Sequence, residues 1–300
     1  MNWLIIAIFA HFLFAAVFVI DKFILSKTVL KPAVYVFYAG LLGALLSLLL
    51  IPFGFSLIPL NQILISFLSG FLFILATFFF YQSIQKSEVS RIVPLIGGSV
   101  PIFTILLSYF LLNERLAAAQ YWSFVLLVLG GLIVVWPYQA KQALSGLSKK
   151  ISIALLASFL FALSYVLGKY IYTFQPFING FIWMRIGGIL GIIFLLAWPA
   201  VRQEILKSST KITFKLGGLA LSNKALSAIA FVSLNYAIFL GSVSLVNALQ
   251  GVQYFFVFSL AIFLSKKHPQ LVKEQINQTA IIQKVLAILL IVLGLGLLAF

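Results

Sequence analysis

The sequence contains no cysteine, and acidic residues are scarce, five in 300. The missing cysteines exclude disulfides, thiolate metal sites and cysteine nucleophiles. Because the acids are scattered singly and both histidines are isolated, the sequence offers no cluster suited to metal binding or general acid–base catalysis. We therefore expect no metal, no cofactor and no enzymatic activity, and we keep an intramembrane transferase as the least favoured alternative.

Charge of either sign is rare: charged residues make up 8% of the chain and hydrophobic residues 63%. Because a soluble domain carries about 25% charged residues, a soluble core is excluded and the lipid bilayer is the expected solvent. The net charge of +15 comes from basic residues that stand singly or in pairs between apolar runs. This pattern argues against binding to nucleic acid and favours contact with anionic membrane lipid.

The chain is a tandem duplication. Residues 10–25 and 157–172 are identical at 8 of 16 positions, at a constant offset of 147. Each copy is apolar enough for five bilayer crossings of roughly 17–25 residues, and an odd number of crossings inverts the second copy. Inverted repeats of this kind are typical of secondary transporters, whose substrate site lies between the copies near the bilayer midplane.

Apolar runs and the prolines between them predict an all-α integral membrane protein with ten transmembrane helices. We assign residues 1–139 to the first five-helix repeat, 140–150 to a linker and 151–300 to the second, inverted repeat. The N-terminus lacks a basic region before its apolar run, so we interpret it as a retained helix. The predicted helices cover residues 3–21, 33–51, 63–83, 92–111, 121–137, 151–171, 178–199, 216–240, 245–265 and 281–300.

The distribution of lysine and arginine predicts the orientation in the membrane. Sixteen of the 20 basic residues lie in odd-numbered connections, two lie in even-numbered ones and two lie inside helices. Since cytoplasmic connections carry the excess of basic residues, both termini are expected outside the cytoplasm.

Residues 91–135 carry a motif that spans the fourth and fifth helices. Pro101 is followed thirteen residues later by Glu114, and the motif continues with Arg115, Leu116, Gln120, Gly130 and Gly131. This region resembles the end of an EamA domain of the drug/metabolite transporter superfamily. The resemblance implies a ten-helix carrier in a bacterial or archaeal plasma membrane, and we expect a monomer or weak dimer. The second copy has Phe256 and His268 at the proline and glutamate positions. The resemblance also implies cytoplasmic termini, so the orientation stays open between the two predictions.

Two basic residues lie inside predicted helices and are the first candidates for substrate binding. Arg185 and Lys224 are seven and eight residues into their helices, roughly 10–12 Å from opposite ends of the bilayer core. A cation at this depth requires a cavity or a partner, and the five acids all fall at helix ends or in connections. An uncompensated positive pocket would suit an anionic solute. The structural alternative places Lys224 at the interface and lets Arg185 extend towards it.

Other polar residues in the helices extend the candidate site. The ninth helix carries a polar stripe that either lines the pathway or holds helices together, and Asn235 shares a face with Lys224. The stripe consists of Asn247, Gln250, Gln253 and Tyr254. Tyr38 occupies the repeat position of Arg185, and His11 could carry a proton, although a packing role is the alternative for His11.

The fourth helix has residues that weaken helical structure and predict a hinge or a kink, namely Pro94, Gly97, Gly98 and Pro101. Taken together, these features predict a secondary transporter that exports or exchanges a small polar or anionic metabolite, such as an amino acid or related carboxylate, by alternating access. A flippase or a carrier of nucleotide sugars or phosphate esters is the alternative.

Overall fold

A computed structural model describes residues 2–27, 31–85, 89–135, 148–207, 214–267 and 278–299. The regular structure of these residues is entirely helical. Most of the predicted linker, residues 140–147, lies outside the described residues. The helices are α1 (Asn2–Lys27), α2 (Pro32–Leu48), α3 (Leu60–Gln85), α4 (Val89–Leu111), α5 (Ala118–Val135), α6 (Ser148–Tyr172), α7 (Phe177–Ala197), α8 (Pro199–Leu206), α9 (Phe214–Leu240), α10 (Val243–Ala248), α11 (Gln250–Lys267) and α12 (Gln278–Ala299), with a 3-10 turn at Ile51–Phe53.

Six helical segments of the described chain are long and apolar enough to cross a membrane. Four further apolar helices are shorter, with 10–17 residues each. Every helix predicted from the sequence overlaps a helix of the structure, and large apolar side chains such as Leu293 and Phe110 lie exposed on its outer surface. Such a surface suits a bilayer rather than water. The protein is therefore an all-helical, multi-pass membrane protein.

The structure differs from the predicted helices at two places. A short additional helix, α8, follows α7 directly, and the predicted ninth helix is divided at Leu249 into α10 and α11. The division lies where the imidazole of His11 contacts the carbonyl oxygen of Val246, 3.0 Å away. A side chain that takes part in hydrogen bonding at this point is one of the recognised causes of a helix break.

The helices pack in pairs that connect the two copies. Helix α3 lies against α6 and α7, α1 lies against α9 and α11, and α5 lies against α12. One buried core, which includes Leu127, Ile238 and Leu245, joins α5, α9 and α10. A second core, which includes Val34 and Ile192, joins α2 and α7 to α3.

Helices α3 and α7 touch through their backbones at a pair of glycines. A Cβ atom on Gly70 would lie 1.9 Å from the carbonyl oxygen of Met184, and one on Gly187 would lie 2.3 Å from Cα of Phe67. Only glycine is compatible with this approach, as at other close contacts between membrane helices. In contrast, the described parts of α2 and α9 share almost no close backbone contact.

The glycines of α4 also serve close packing. A Cβ on Gly97 would overlap the ring of Tyr254, and one on Gly98 would lie 2.2 Å from Cδ2 of Leu132. Helix α4 is continuous from Val89 to Leu111, through Pro94 and the buried Pro101. The interruption is thus found not in α4 but in the corresponding region of the second copy, at Leu249 between α10 and α11. The hinge role of the α4 residues stays a prediction.

Candidate functional site

A polar cavity lies between α2, α3, α6, α7 and α9. Its volume is about 30 Å³, which is room for about two water molecules. None of the described residues that line it is acidic, and one, Arg185, is basic. The lining residues are Gly40, Ser69, Gly70, Phe73, Ile74, Ser164, Tyr165, Gly168, Phe181, Met184, Arg185, Gly188, Phe231 and Asn235.

Aromatic rings surround the guanidinium group of Arg185. Its Cζ atom lies 3.8 Å from the ring centroid of Phe231, 5.2 Å from that of Phe181 and 5.5 Å from that of Phe73. These distances allow cation–π interactions. The rings stabilise the positive charge without supplying a negative one, so the five N–H donors of the guanidinium remain suited to bidentate binding of a carboxylate or phosphate.

Small side chains make room for Arg185, and hydrogen bonds fix the cavity walls. Gly43 on α2 would place a Cβ 3.4 Å from Nη1 of the arginine. Ser69 and Ser164 each donate a hydrogen bond of 2.9 Å to the other's carbonyl oxygen, which joins α3 to α6. Asn235 donates to the carbonyl oxygen of Phe231 at 2.9 Å and accepts from the hydroxyl of Tyr172 at 3.3 Å. Hydrogen-bonded polar groups on α3, α6 and α9 thus form part of the cavity wall, beside aromatic and aliphatic side chains.

Lys224 does not line this cavity, and it has an acidic partner. Its Nζ atom lies 3.8 Å from Oδ1 of Asp21 and donates to the hydroxyl of Tyr35. Tyr35 in turn donates to Oδ2 of Asp21 at 3.0 Å, and Asn223 donates to Oδ1 at 2.8 Å. The expected uncompensated charge is therefore wrong for Lys224, because the packing of α1 against α9 brings Asp21 to it.

The remaining candidates lie away from the cavity. Tyr38 is 54% exposed on the outer surface of α2, although its repeat partner Arg185 points inward. His11 is buried, and its Nδ1 atom lies 3.1 Å from Oε1 of Gln253 while Nε2 contacts Val246. Both ring nitrogens thus have partners, as the packing alternative requires.

The polar stripe of the ninth predicted helix bonds mostly within its own helices. Asn247 donates to the carbonyl oxygen of Val243 at 3.0 Å within α10, and Gln250 donates to the hydroxyl of Tyr254 at 3.3 Å within α11. The contacts of His11 with Gln253 and Val246 join α1 to α11 and α10. Of the predicted binding residues, the structure brings Arg185 and Asn235 to the cavity.

The Glu114 motif connects the ends of α4 and α5 to the second copy. Oε2 of Glu114 accepts a hydrogen bond of 2.5 Å from Ser244 on α10, and Ser244 lies 2.7 Å from Ser108 on α4. Gln120 accepts from the backbone N–H of Ala117 at 3.0 Å, which is the reciprocal half of a helix capping box. Glu114 and Gln120 thus lie near the ends of their helices rather than at the cavity.

Sequence reasoning missed the aromatic residues around Arg185, because phenylalanine is too common in this chain to indicate a site. It also missed the close contact of α3 and α7. A usable signal was present: Gly187, Gly188 and Gly191 follow Arg185 on one helix, and runs of small residues mark the closest helix contacts in membranes.

Comparison with protein families identifies a match over the first part of the chain. Residues 1–136 match the profile of the EamA-like transporter family. The resemblance predicted from Pro101 and Glu114 is confirmed over this part of the chain. A search of curated proteins finds no match.

One similar solved structure is described only as the crystal structure of a protein. The match covers 98% of this chain and 96% of the other, with a TM-score of 0.70 and 15% sequence identity. At this identity the likeness shows a shared fold.

Proposed function

We propose that the protein is a ten-helix secondary transporter in the plasma membrane, and that Arg185 binds the carboxylate or another anionic group of a small metabolite. The observation that carries this proposal is the guanidinium in a polar cavity with no acidic residue among its described lining. A charged residue within a membrane helix is costly and usually functional. An anionic ligand would supply the missing negative charge.

The helix pairing supports an inverted repeat. In an inverted repeat, α1 would correspond to α6 and α3 to α9. The contact between α1 and α9 would then have its counterpart in the contact between α6 and α3, and both pairs pack closely. The same correspondence relates the α4–α6 pair to the α11–α1 pair, which are also in contact. The cavity is lined by residues from both proposed copies, and a site between the copies is typical of transporters built from inverted repeats.

One difference between the copies supports alternating access. Exchanging the copies relates the pair of α3 and α7 to the pair of α9 and α2. The first pair is in backbone contact, whereas α2 and α9 are separated. Opening one contact while the other closes would expose the cavity to each side of the membrane in turn.

A thermal-shift screen of the purified protein tests the proposed ligand class. Ligands that bind the folded state raise its stability by mass action, so we expect small carboxylates, including amino acids, to raise the melting temperature of the wild type. Arg185→Gln should abolish the shift and remain folded, whereas Lys31→Gln, which changes an exposed cation, should retain it. Stabilisation by cationic or neutral solutes, unaffected by Arg185→Gln, would contradict the proposal. Stabilisation by nucleotide sugars or lipids alone would favour the alternative carrier.

A further inference from the structure

A second polar cluster lies between the cavity and one end of the molecule. It consists of Asp21 on α1, Tyr35 on α2, and Asn223 and Lys224 on α9. The side chains of Asp21 and Lys224 are only 17% and 22% exposed. A charged pair this far from solvent needs further hydrogen bonds, and Tyr35 and Asn223 donate two of them to Asp21.

Helix geometry places this cluster directly beside the cavity. Lys224 precedes the cavity residue Phe231 by seven positions on α9, and Tyr81 follows Ile74 by seven on α3. Seven residues are two turns, about 10 Å, along the same helix face. The ring of Tyr81 packs on that of Tyr35 with centroids 4.4 Å apart. The cluster therefore lies about two turns from the cavity lining, on the side where α1 and α3 end and where α2 and α9 begin.

The two sides of the cavity are closed in different ways. On the side of the Gly70–Gly187 contact, α3 and α7 meet through their backbones. On the other side, the described parts of α2 and α9 share almost no close backbone contact. There Lys224 donates to the hydroxyl of Tyr35 and lies 3.8 Å from the centroid of its ring. Side chains reorient without moving whole helices, so the second closure is the easier one to open.

We propose that Asp21, Tyr35 and Lys224 form an entrance site for anionic solutes. In the closed state Asp21 supplies the negative charge that Lys224 requires. An entering carboxylate or phosphate exchanges with Asp21 as the partner of Lys224, the bond to Tyr35 breaks, and the solute passes on to Arg185. This inference rests on the proposed function, since it assigns an anionic solute to the same cavity.

Thiol labelling measures the opening of this entrance without a known substrate. The chain has no cysteine, so Ser164→Cys, which lines the cavity, gives a single reporter. The reporter is labelled in purified, detergent-solubilised full-length protein with two methanethiosulfonates of similar size, an anionic sulfonate and a cationic trimethylammonium compound. Glu204→Gln is the matched control, because it removes an exposed ion pair with Lys31, 3.7 Å long, at the same end of the molecule.

We expect Asp21→Asn to raise the labelling rate for the anionic reagent about tenfold or more, and to raise it less for the cationic reagent. Lys224→Gln in the Asp21→Asn background should remove this preference. Tyr35→Phe, which keeps the ring and removes only the hydroxyl, should raise both rates and serves if Asp21→Asn does not fold. An unchanged rate in Asp21→Asn and Tyr35→Phe, as in Glu204→Gln, would overturn the proposal, and so would equal acceleration of both reagents in a folded Asp21→Asn protein. Because no transported ligand is used, these rates are independent of the outcome of the ligand screen.

Discussion

At the scale of single residues, the position of Arg185 is explained by ligand binding better than by stability. An arginine at the centre of a membrane helix costs about 2.5–3.5 kcal/mol on insertion scales. A cation–π contact returns about 0.5–2 kcal/mol, and the aromatic rings around Arg185 lie at 3.8–5.5 Å. Lys224, in contrast, is compensated by Asp21. Lys224 thus has a negatively charged partner, whereas Arg185 has none among the described residues that line its cavity. Of the two cations, Arg185 is the one that faces the cavity.

Glu114 offers a test of whether the family motif is structural. Replacing Glu114 with Gln removes the charge from the hydrogen bond with Ser244, and bonds to charged groups contribute about 1.5–3 kcal/mol. We expect Glu114→Gln to lower the thermal unfolding temperature while the ligand-induced shift and its pH dependence stay unchanged. Arg115→Gln, at the exposed neighbouring position, should have a smaller effect on stability. A folded Glu114→Gln protein that has lost the pH dependence of binding would instead make Glu114 a proton site.

Single residues were predictable where chemistry alone singled them out. Arg185 is notable in any apolar segment, and Asn235 was found because it shares a helix face with Lys224. Asp21 and Tyr35 could not be connected to Lys224, since they lie 203 and 189 positions away in the chain and meet it only through packing of α1 and α2 against α9. Glu114 lies in the turn between α4 and α5, yet it bonds Ser244 on α10 of the second copy. Contacts between copies depend on the three-dimensional arrangement, which local pattern does not contain.

At the scale of helices, the α3–α7 contact determines which side of the cavity is firmly closed. Glycines at Gly70, Gly187 and Gly188 bring the two backbones together beside Arg185. Close backbone approach gains van der Waals contact along the whole crossing, which is a main source of helix association within lipid. A single added methyl group at the contact therefore has to move a helix.

Substitution of Gly70 tests this contact. In Gly70→Ala the new Cβ would lie 1.9 Å from the carbonyl oxygen of Met184, and overpacking of this kind costs about 1–3 kcal/mol. We expect a lower unfolding temperature and faster labelling of a cysteine in the cavity, because α3 and α7 must separate. Gly218→Ala adds the same atom where nothing lies within 4 Å and should leave both quantities unchanged. Equal behaviour of the two variants would show that the contact does not close the cavity.

Helix positions followed well from the sequence because lipid imposes long apolar runs. The ends of α1 and the division at Leu249 did not, since both depend on tertiary partners. Asp21 reads as a helix end, yet Lys224 and Asn223 stabilise it within a helix that runs to Lys27. The break at Leu249 has no proline or adjacent charge to mark it, and it becomes understandable only with His11 beside Val246.

At the scale of the whole molecule, the basic residues are distributed unevenly between the connections. Sixteen of the 20 lie in odd-numbered connections, which include Arg202 and Lys207, and two lie in even-numbered ones, to which Thr173 belongs. The positive-inside rule therefore predicts that the α8 end is cytoplasmic.

Cysteine scanning tests this orientation. Gln203→Cys on α8 and Thr173→Cys between α6 and α7 are both exposed, and each gives a single thiol in a chain without cysteine. In intact cells an impermeant thiol reagent should label Thr173→Cys at once and Gln203→Cys only after permeabilisation. The reverse pattern would place both termini in the cytoplasm, as the EamA resemblance implies.

The central claim, that the Arg185 cavity is the site of transport, is tested most directly by flux in reconstituted liposomes. The anionic ligand that gives the largest thermal shift is loaded inside, and exchange with labelled ligand outside is followed for the wild type, Arg185→Gln and Lys31→Gln. The account predicts saturable exchange for the wild type and Lys31→Gln, and exchange at the level of empty liposomes for a folded Arg185→Gln protein. Undiminished exchange by Arg185→Gln, or binding without exchange in the wild type, would contradict it.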